Sequence, residues 1–274
     1  MPELPEVEII REYINSKIQG KTIDSVESLL PRLWRNSTPS MAESTLKGLV
    51  VAGVKRRGKY LLLHFEGVDL RLVIHLKLTG SLVYHESSVV ERFDRILFHF
   101  TDGTELAYGD VRTLGGLYLF INEEAIDLKA YITMGVEPLS EAFTPLYMYE
   151  VSRRSSIPIK PFLLDQKYVA GIGNIYADEA LFKARIRPTR RANSLTKKES
   201  KALCEAIKEV LTSSLQHGGT SFRDYKNGAG QKGQNQNYLA VYGRGGQLCE
   251  ACGKPLTDMT LRGRHTVYCK YCQK

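Results

Sequence analysis

The 274-residue sequence predicts an α+β multidomain fold, with an N-terminal β-sandwich and flanking helix, a central helical region and a C-terminal zinc ribbon. Three observations predict it. Short β-like runs follow one another closely between residues 47 and 121. Around Gly135-Val136-Glu137-Pro138 that alternation gives way to helical periods. Four of the five cysteines lie in the last 26 residues, as two CxxC pairs.

Residues 4–19 read as an amphipathic helix, with Pro5 near its start, Val7, Ile10, Ile14 and Ile18 on one face, and Gly20 to end it. Strands are expected over 47–56, 60–65, 70–76, 95–100, 105–108 and 117–121, with Asp102-Gly103 as a hairpin turn. Helical stretches follow over 160–166, 174–184 and 196–217. The last opens on a capping box, Thr196-x-x-Glu199, and stops at Gly218-Gly219. Cys204 falls among Leu203, Ile207 and Leu211, the setting of a buried, inert thiol. The polar, glycine-rich stretch 226–237 reads as a mobile loop.

Cys249-x2-Cys252, a gap of sixteen residues, then Cys269-x2-Cys272 has the spacing of a zinc ribbon. Four thiolates complete one closed tetrahedral Zn²⁺ site, and in so short a segment the metal supplies the folding energy. Two disulfides or a redox pair are the competing readings; a reducing compartment opposes the first, and a redox motif needs no twin.

Composition narrows the function. With 38 Lys+Arg against 30 Asp+Glu the net charge is +8, which suits a polyanionic partner as well as a generically basic surface. No apolar run approaches the ~18 residues of a membrane span, and the acidic start lacks a signal peptide's basic region. A cytoplasmic protein with no membrane association is expected.

The first residues carry a chemical possibility. Removal of Met1 turns Pro2 into a free secondary amine that can attack an aldehyde carbon and form an iminium ion, an electron sink. Glu3 beside it is placed to move protons. A solvated chain end is the plain alternative. Gly171-Ile172-Gly173-Asn174 opens a helix, where backbone N–H groups suit a phosphate; simple N-capping by Asn174 explains it equally well. Arg56-Arg57-Gly58-Lys59 is a basic turn, and Arg262-Gly263-Arg264-His265 lies between the zinc half-sites; each is a phosphate contact or a solvated tip.

In combination these segments resemble the bacterial formamidopyrimidine-DNA glycosylase / endonuclease VIII family over essentially the whole chain. The matching stretches are PELPEVE at 2–8, RRGKYL at 56–61, HLKLTG at 75–80, DVRTLGG at 110–116, VAGIGNIYADEALF at 169–182, LAVYGRGGQLC at 239–249 and RGRHTVYCKYCQK at 262–274. The resemblance implies a catalytic sandwich over 1–134, a helix–two-turn–helix DNA-binding domain over 135–225, a mobile lesion-capping loop over 226–238 and a zinc finger over 239–274. It implies a monomer that binds damaged double-stranded DNA, holds one structural Zn²⁺, and flips the damaged nucleotide out of the stack. Its activity is that of a bifunctional glycosylase and abasic-site lyase for oxidised purines such as 8-oxoguanine and formamidopyrimidines. Pro2, Glu3, Lys59 and Arg264 fall on the catalytic set; His75, Leu78, Arg112, Leu114, Lys160, Asn174 and Tyr242 fall on the DNA-binding set. Oxidised pyrimidines, abasic sites alone, or non-catalytic lesion binding are the alternatives.

The reading apparatus departs from the family pattern. The side chains that fill the hole left by the flipped base are Met, Arg and Phe in the family and correspond here to Leu78, Arg112 and Leu114. Leucine can part a base step but cannot stack on a base, and base–aromatic stacking is worth about 1–3 kcal/mol. Phe93 stands where a DNA-contacting histidine is expected, Ile9 replaces a small hydroxyl residue, and Gln234 and Asn235 replace a loop aromatic.

Overall fold

The computed structural model describes residues 2–222 and 225–274. The chain divides into two compact units, Met1–Ile132 with His217–Gln236, and Thr133–Gln216 with Asn237–Lys274.

The first unit is a β-sandwich with one long helix against it. In chain order its elements are α1 (Leu4–Ile18), β1 (Ile23–Ser28), α2 (Pro39–Leu46), β2 (Val51–Arg57), β3 (Tyr60–Phe65), β4 (Val68–His75), β5 (Gly80–His85), β6 (Asp94–Phe100), β7 (Glu105–Asp110), β8 (Gly116–Phe120) and α3 (Lys129–Ile132). Two antiparallel sheets form, in orders β1-β6-β7-β5 and β2-β3-β4-β8. Alternation sends Leu61, Leu63, Leu72 and Ile74 of one sheet and Ile96, Phe98, Leu106 and Tyr108 of the other into a single core. The expected helix face of Val7, Ile10, Ile14 and Ile18 joins that core completely buried. Each such aliphatic side chain contributes about 1.5–3 kcal/mol by leaving water.

Among the described residues, two strands and three helices, the short α3 included, escaped the sequence reading. Strand β1 carries only Ile23 and Val26 inward, three residues apart, because its register with β6 shifts between Ile23 and Ser25 and breaks the two-residue period. Strand β5 alternates cleanly but begins on Gly80, straight out of a tight turn. Helix α2 displaces the start of the expected 47–56 strand to Val51. Both α2 and α4 (Pro145–Arg153) begin with a Thr-Pro pair, Thr38-Pro39 and Thr144-Pro145, in which the threonine hydroxyl accepts a helix N–H. That cap-and-proline signal was present in the sequence.

The second unit continues with α5 (Ile159–Leu164), α6 (Asn174–Lys183), α7 (Lys197–Gln216), β9 (Thr257–Leu261) and β10 (Arg264–Tyr268). The helices close on Phe143, Phe162, Tyr176, Leu181, Leu203 and Ile207. The capping box of α7 forms as expected: Thr196 Oγ1 accepts the Glu199 N–H at 3.2 Å, and Glu199 Oε2 accepts the Thr196 N–H at 2.8 Å. Cys204 is buried with its thiol on the Phe143 carbonyl, and burial pushes its pKa up. No helix among the described residues is long and apolar enough to cross a membrane.

The polar stretch expected as a loop is a series of hydrogen-bonded turns. Asn227 Oδ1 accepts the N–H groups of Ala229 and Gln231, and Gly228 O accepts from Tyr84 N. Asn235 donates from its side chain to Thr220 Oγ1 at 2.8 Å.

Candidate active site and nucleic-acid interface

Pro2 is buried immediately before α1, and Glu3, 2 % exposed, is the helix N-cap. Glu6 Oε2 accepts the Glu3 N–H at 2.9 Å in a capping box, and Glu6 Oε1 accepts the Thr220 N–H at 2.8 Å. One buried carboxylate thus ties the start of α1 to the segment that follows α7 in the chain. Glu6 was not singled out from the sequence, although Glu at the third helical position was the available signal.

The β2–β3 turn carries Lys59, almost buried, behind Gly58 at φ +55°. On the neighbouring strand, His75 pairs with Tyr60 and meets its ring edge-on at 4.4 Å. His75 is held neutral, with its pKa pushed down to about 3 by burial and then by the charges of Lys77 and Lys59. Nδ1 accepts the Lys77 N–H at 2.9 Å, which leaves Nε2 as the donor.

From here the chain makes the tight turn that presents Leu78, with Lys77 at φ +52° and Gly80 N–H on Leu76 O. Thr79 Oγ1 donates to Asp110 Oδ1 at 2.6 Å and accepts the Arg112 N–H at 3.0 Å. Asp110, 1 % exposed, also takes the Arg112 N–H at 3.1 Å on Oδ1 and the Gly115 N–H at 2.9 Å on Oδ2. The Leu78 turn and the 111–115 loop are therefore locked to one carboxylate, with Arg112 and Leu114 projecting into solvent. Gly115 has no room for a Cβ, which would lie 2.0 Å from the Tyr108 hydroxyl. The Leu78 turn and the Arg112–Leu114 loop share this anchor; Thr79 and Asp110, which make it, stood in the sequence only as part of the HLKLTG and DVRTLGG stretches.

In the second unit, Asn174 does not cap its helix. Gly173 is the N-cap, and the Asn174 amide crosses to donate to His265 O at 3.0 Å. The expected anion cradle before it is partly filled from within, since Gly171 N–H, at φ +77°, donates to Gln166 Oε1. Lys160, expected on the DNA surface, is completely buried. Its ammonium bonds Asp178 Oδ1 at 2.8 Å, His265 O at 2.7 Å and Thr266 Oγ1 at 2.8 Å. A lysine so engaged cannot reach a phosphate, and its observed role is to fasten the ribbon hairpin to α5 and α6. Asp178 also accepts Val267 N–H; burial pushes it up to about 6 against the pull of Lys160. Its neighbour Glu179 accepts the N–H groups of Ala240, Val241 and Tyr242 at 2.8–2.9 Å, which fixes Tyr242. Asp178 and Glu179 were quoted only as part of a motif.

Arg264 follows a two-residue turn in which Arg262 and Gly263 both have positive φ, +47° and +74°, so the hairpin projects it outward. Below it, Cys249, Cys252, Cys269 and Cys272 are free thiols whose Sγ atoms all lie within 4.8 Å of one another. Cys249–Cys272 and Cys252–Cys269 are 3.9 and 3.5 Å apart. With Zn–S bonds near 2.3 Å, a tetrahedral site has edges of about 3.8 Å, so the four sulfurs fit one Zn²⁺.

Comparison with known proteins agrees with this arrangement. The formamidopyrimidine-DNA glycosylase N-terminal domain profile matches residues 1–117, the glycosylase H2TH domain profile matches 134–226, and the zinc finger found in FPG and IleRS matches 246–274. The formamidopyrimidine-DNA glycosylase of Desulforamulus reducens is 42% identical over 276 residues, covering 100% of this chain and 99% of its own. That of Listeria monocytogenes is 40% identical over 275 residues, covering 100% of both.

The chain belongs to the formamidopyrimidine-DNA glycosylase family.

Solved members of the formamidopyrimidine-DNA glycosylase family superpose over the whole chain. A Lactococcus lactis FPG mutant in complex with Fapy-dG containing DNA gives a TM-score of 0.92 at 35% identity, covering 100% of both chains. MutM in complex with carbocyclic 8-oxo-G containing DNA gives 0.91 at 35% identity, with the same coverage. The family's zinc finger and the fitted thiol cluster together assign one structural zinc ion to the ribbon.

Proposed function

We propose that this protein is a DNA-repair glycosylase and abasic-site lyase that removes oxidised purines from duplex DNA. The observation that carries the reading is the chain start: Pro2 and Glu3 are buried against a helix N-terminus that Glu6 clamps from two sides. A nucleophile at a chain end needs such rigidity, because a frayed terminus cannot hold an attack geometry. The positive end of the α1 dipole also favours the neutral, attacking amine.

After Met1 removal the Pro2 nitrogen attacks the sugar C1′. A bond forms between N and C1′ and the base departs with its glycosidic electrons; the nitrogen gives up its proton, its lone pair then breaks C1′–O4′, and Glu3 delivers a proton to the opening ring oxygen. The resulting iminium acidifies C2′–H; loss of that proton expels the 3′ phosphate oxygen, and a second elimination expels the 5′ one. Lys59, Asn174 and Arg264 supply phosphate contacts, neutral His75 a donor, and Leu78, Arg112 and Leu114 fill the vacated stack. The turns over 226–238 close on the extruded base. The ribbon's metal supplies folding energy rather than chemistry, with Cys249, Cys252, Cys269 and Cys272 as its ligands. Relatives of the same family bound to Fapy-dG and 8-oxo-G DNA support the purine assignment. We place the protein in the cytoplasm, at the nucleoid when bound.

Borohydride trapping on duplexes carrying 8-oxoguanine opposite C, an oxidised pyrimidine or an abasic site tests the reading. A covalent adduct is expected with 8-oxoguanine, sharply reduced by Pro2→Gly, and Glu3→Gln is expected to slow excision by roughly 10²–10⁴-fold. Trapping at the abasic site alone would leave a lyase with another substrate. No adduct with the Met-processed protein would end the enzymatic reading.

A further inference from the structure

The exposed face of the first unit holds an aromatic side chain that the proposed reaction leaves unused. Phe93 is 40 % exposed and lies outside the sandwich core. A single exposed aromatic is ordinary; what surrounds this one is not. The Arg92 and Arg95 guanidinium carbons lie 5.2 and 5.7 Å from its ring centroid. Arg95 is itself held, donating to Asp94 O at 3.0 Å and to Asp110 O at 3.1 Å. The Phe93 carbonyl accepts the Asp110 N–H at 3.0 Å, so its backbone is fastened to the residue whose carboxylate holds the Arg112–Leu114 loop. Phe93 lines a cavity of about 410 Å³ together with Thr79, Val111, Lys226 and Lys232, and with three carboxylates engaged within the chain: Asp94 on the Glu91 N–H, Asp110 on its loop amides and Glu91 on Lys226. An exposed aromatic flanked by two arginines, beside an apolar side chain, is a composition that stacks a nucleobase.

We propose that Phe93 is a specificity-determining stacking residue, taking a nucleobase unstacked beside the Arg112–Leu114 loop and supplying the aromatic contact that Leu114 cannot. The inference rests on the proposed function only in taking damaged duplex DNA as the ligand. It makes residue 93 a determinant of how strongly the protein grips a gap in the stack, separate from the bond-breaking amine.

The test uses the full-length, zinc-loaded, Met-processed protein and a duplex with a tetrahydrofuran abasic analogue opposite 2-aminopurine, whose fluorescence is quenched by stacking. Phe93→Ala is expected to weaken binding about tenfold and raise the fluorescence of the bound probe. Phe93→Leu keeps the bulk and should behave like Phe93→Ala, whereas Phe93→Tyr should restore both readouts. Leu114→Phe in the Phe93→Ala background should recover most of the loss. Wild-type affinity and quenching in both Phe93→Ala and Phe93→Leu would overturn the assignment. Borohydride trapping of the wild type at a true abasic site separates the two ideas. An adduct with no Phe93 effect refutes the stacking role alone, and a Phe93 effect with no adduct refutes the lyase alone.

Discussion

The two units hold irregular, exposed segments still in different ways. In the first, buried Asp110 gathers neutral donors, the Thr79 hydroxyl and the N–H groups of Arg112 and Gly115, and no ion pair to it is seen among the described residues. In the second, Asp178 is paired with a fully buried cation, Lys160, which reaches on to the ribbon backbone, while Glu179 collects three further N–H groups. The first arrangement spans one sheet end and its adjoining loops; the second bridges helices and ribbon. The difference teaches where damage should travel. Loss of a neutral-donor hub frees a loop, whereas loss of one charge from a buried pair strands the other and loosens everything it joins.

Lys160→Met breaks the comparison hardest. It leaves Asp178 uncompensated and is expected to cost about 3–5 kcal/mol by urea denaturation, with Asp178→Leu in the same chain recovering most of it. A neutral single substitution would show that the pair does not hold the ribbon. Asp110→Ala should cost less, about 1–3 kcal/mol, and locally. Hydrogen exchange should quicken at the Arg112 and Gly115 amides and stay unchanged over α6 and β10; a change there would erase the distinction between the units.

The most gradual effect is a pH slope. His75 titrates at about 3 in the folded chain against 6.5 ordinarily, so the unfolded chain binds the extra proton between those values. Its contribution is complete above pH 6.5 and is lost as pH falls toward 3, at no more than about 1.4 kcal/mol per pH unit. His75→Gln should flatten the fall in stability between pH 7 and 5, and an unchanged slope would remove His75 as its source.

What could be read in the sequence was what local chemistry dictates. The α1 face, the Thr196–Glu199 box, the paired CxxC turns and the Asp102-Gly103 hairpin each depend on residues a few positions apart. The residues that organise the site depend on partners far along the chain. Glu179 meets Ala240 61 positions away, Asp178 meets Val267 89 away and Thr79 meets Asp110 31 away. No periodicity reports such pairs. Lys160 is the instructive case: the resemblance put it in the DNA-binding set, and only the fold shows its charge spent inside. At Asn174, where capping and a phosphate contact were both open from the sequence, the cap is Gly173 and the side chain reaches the ribbon.

The setting of Cys204 has a practical consequence for handling the protein. With that thiol enclosed beneath Phe143 and raised in pKa, a reagent in solvent meets Cys252 and Cys272 of the ribbon first, while Cys249, Cys269 and Cys204 are buried. Counting reactive thiols with and without a chelator therefore follows the opening of the ribbon as metal leaves, and reaction of Cys204 announces that the helical core itself has opened.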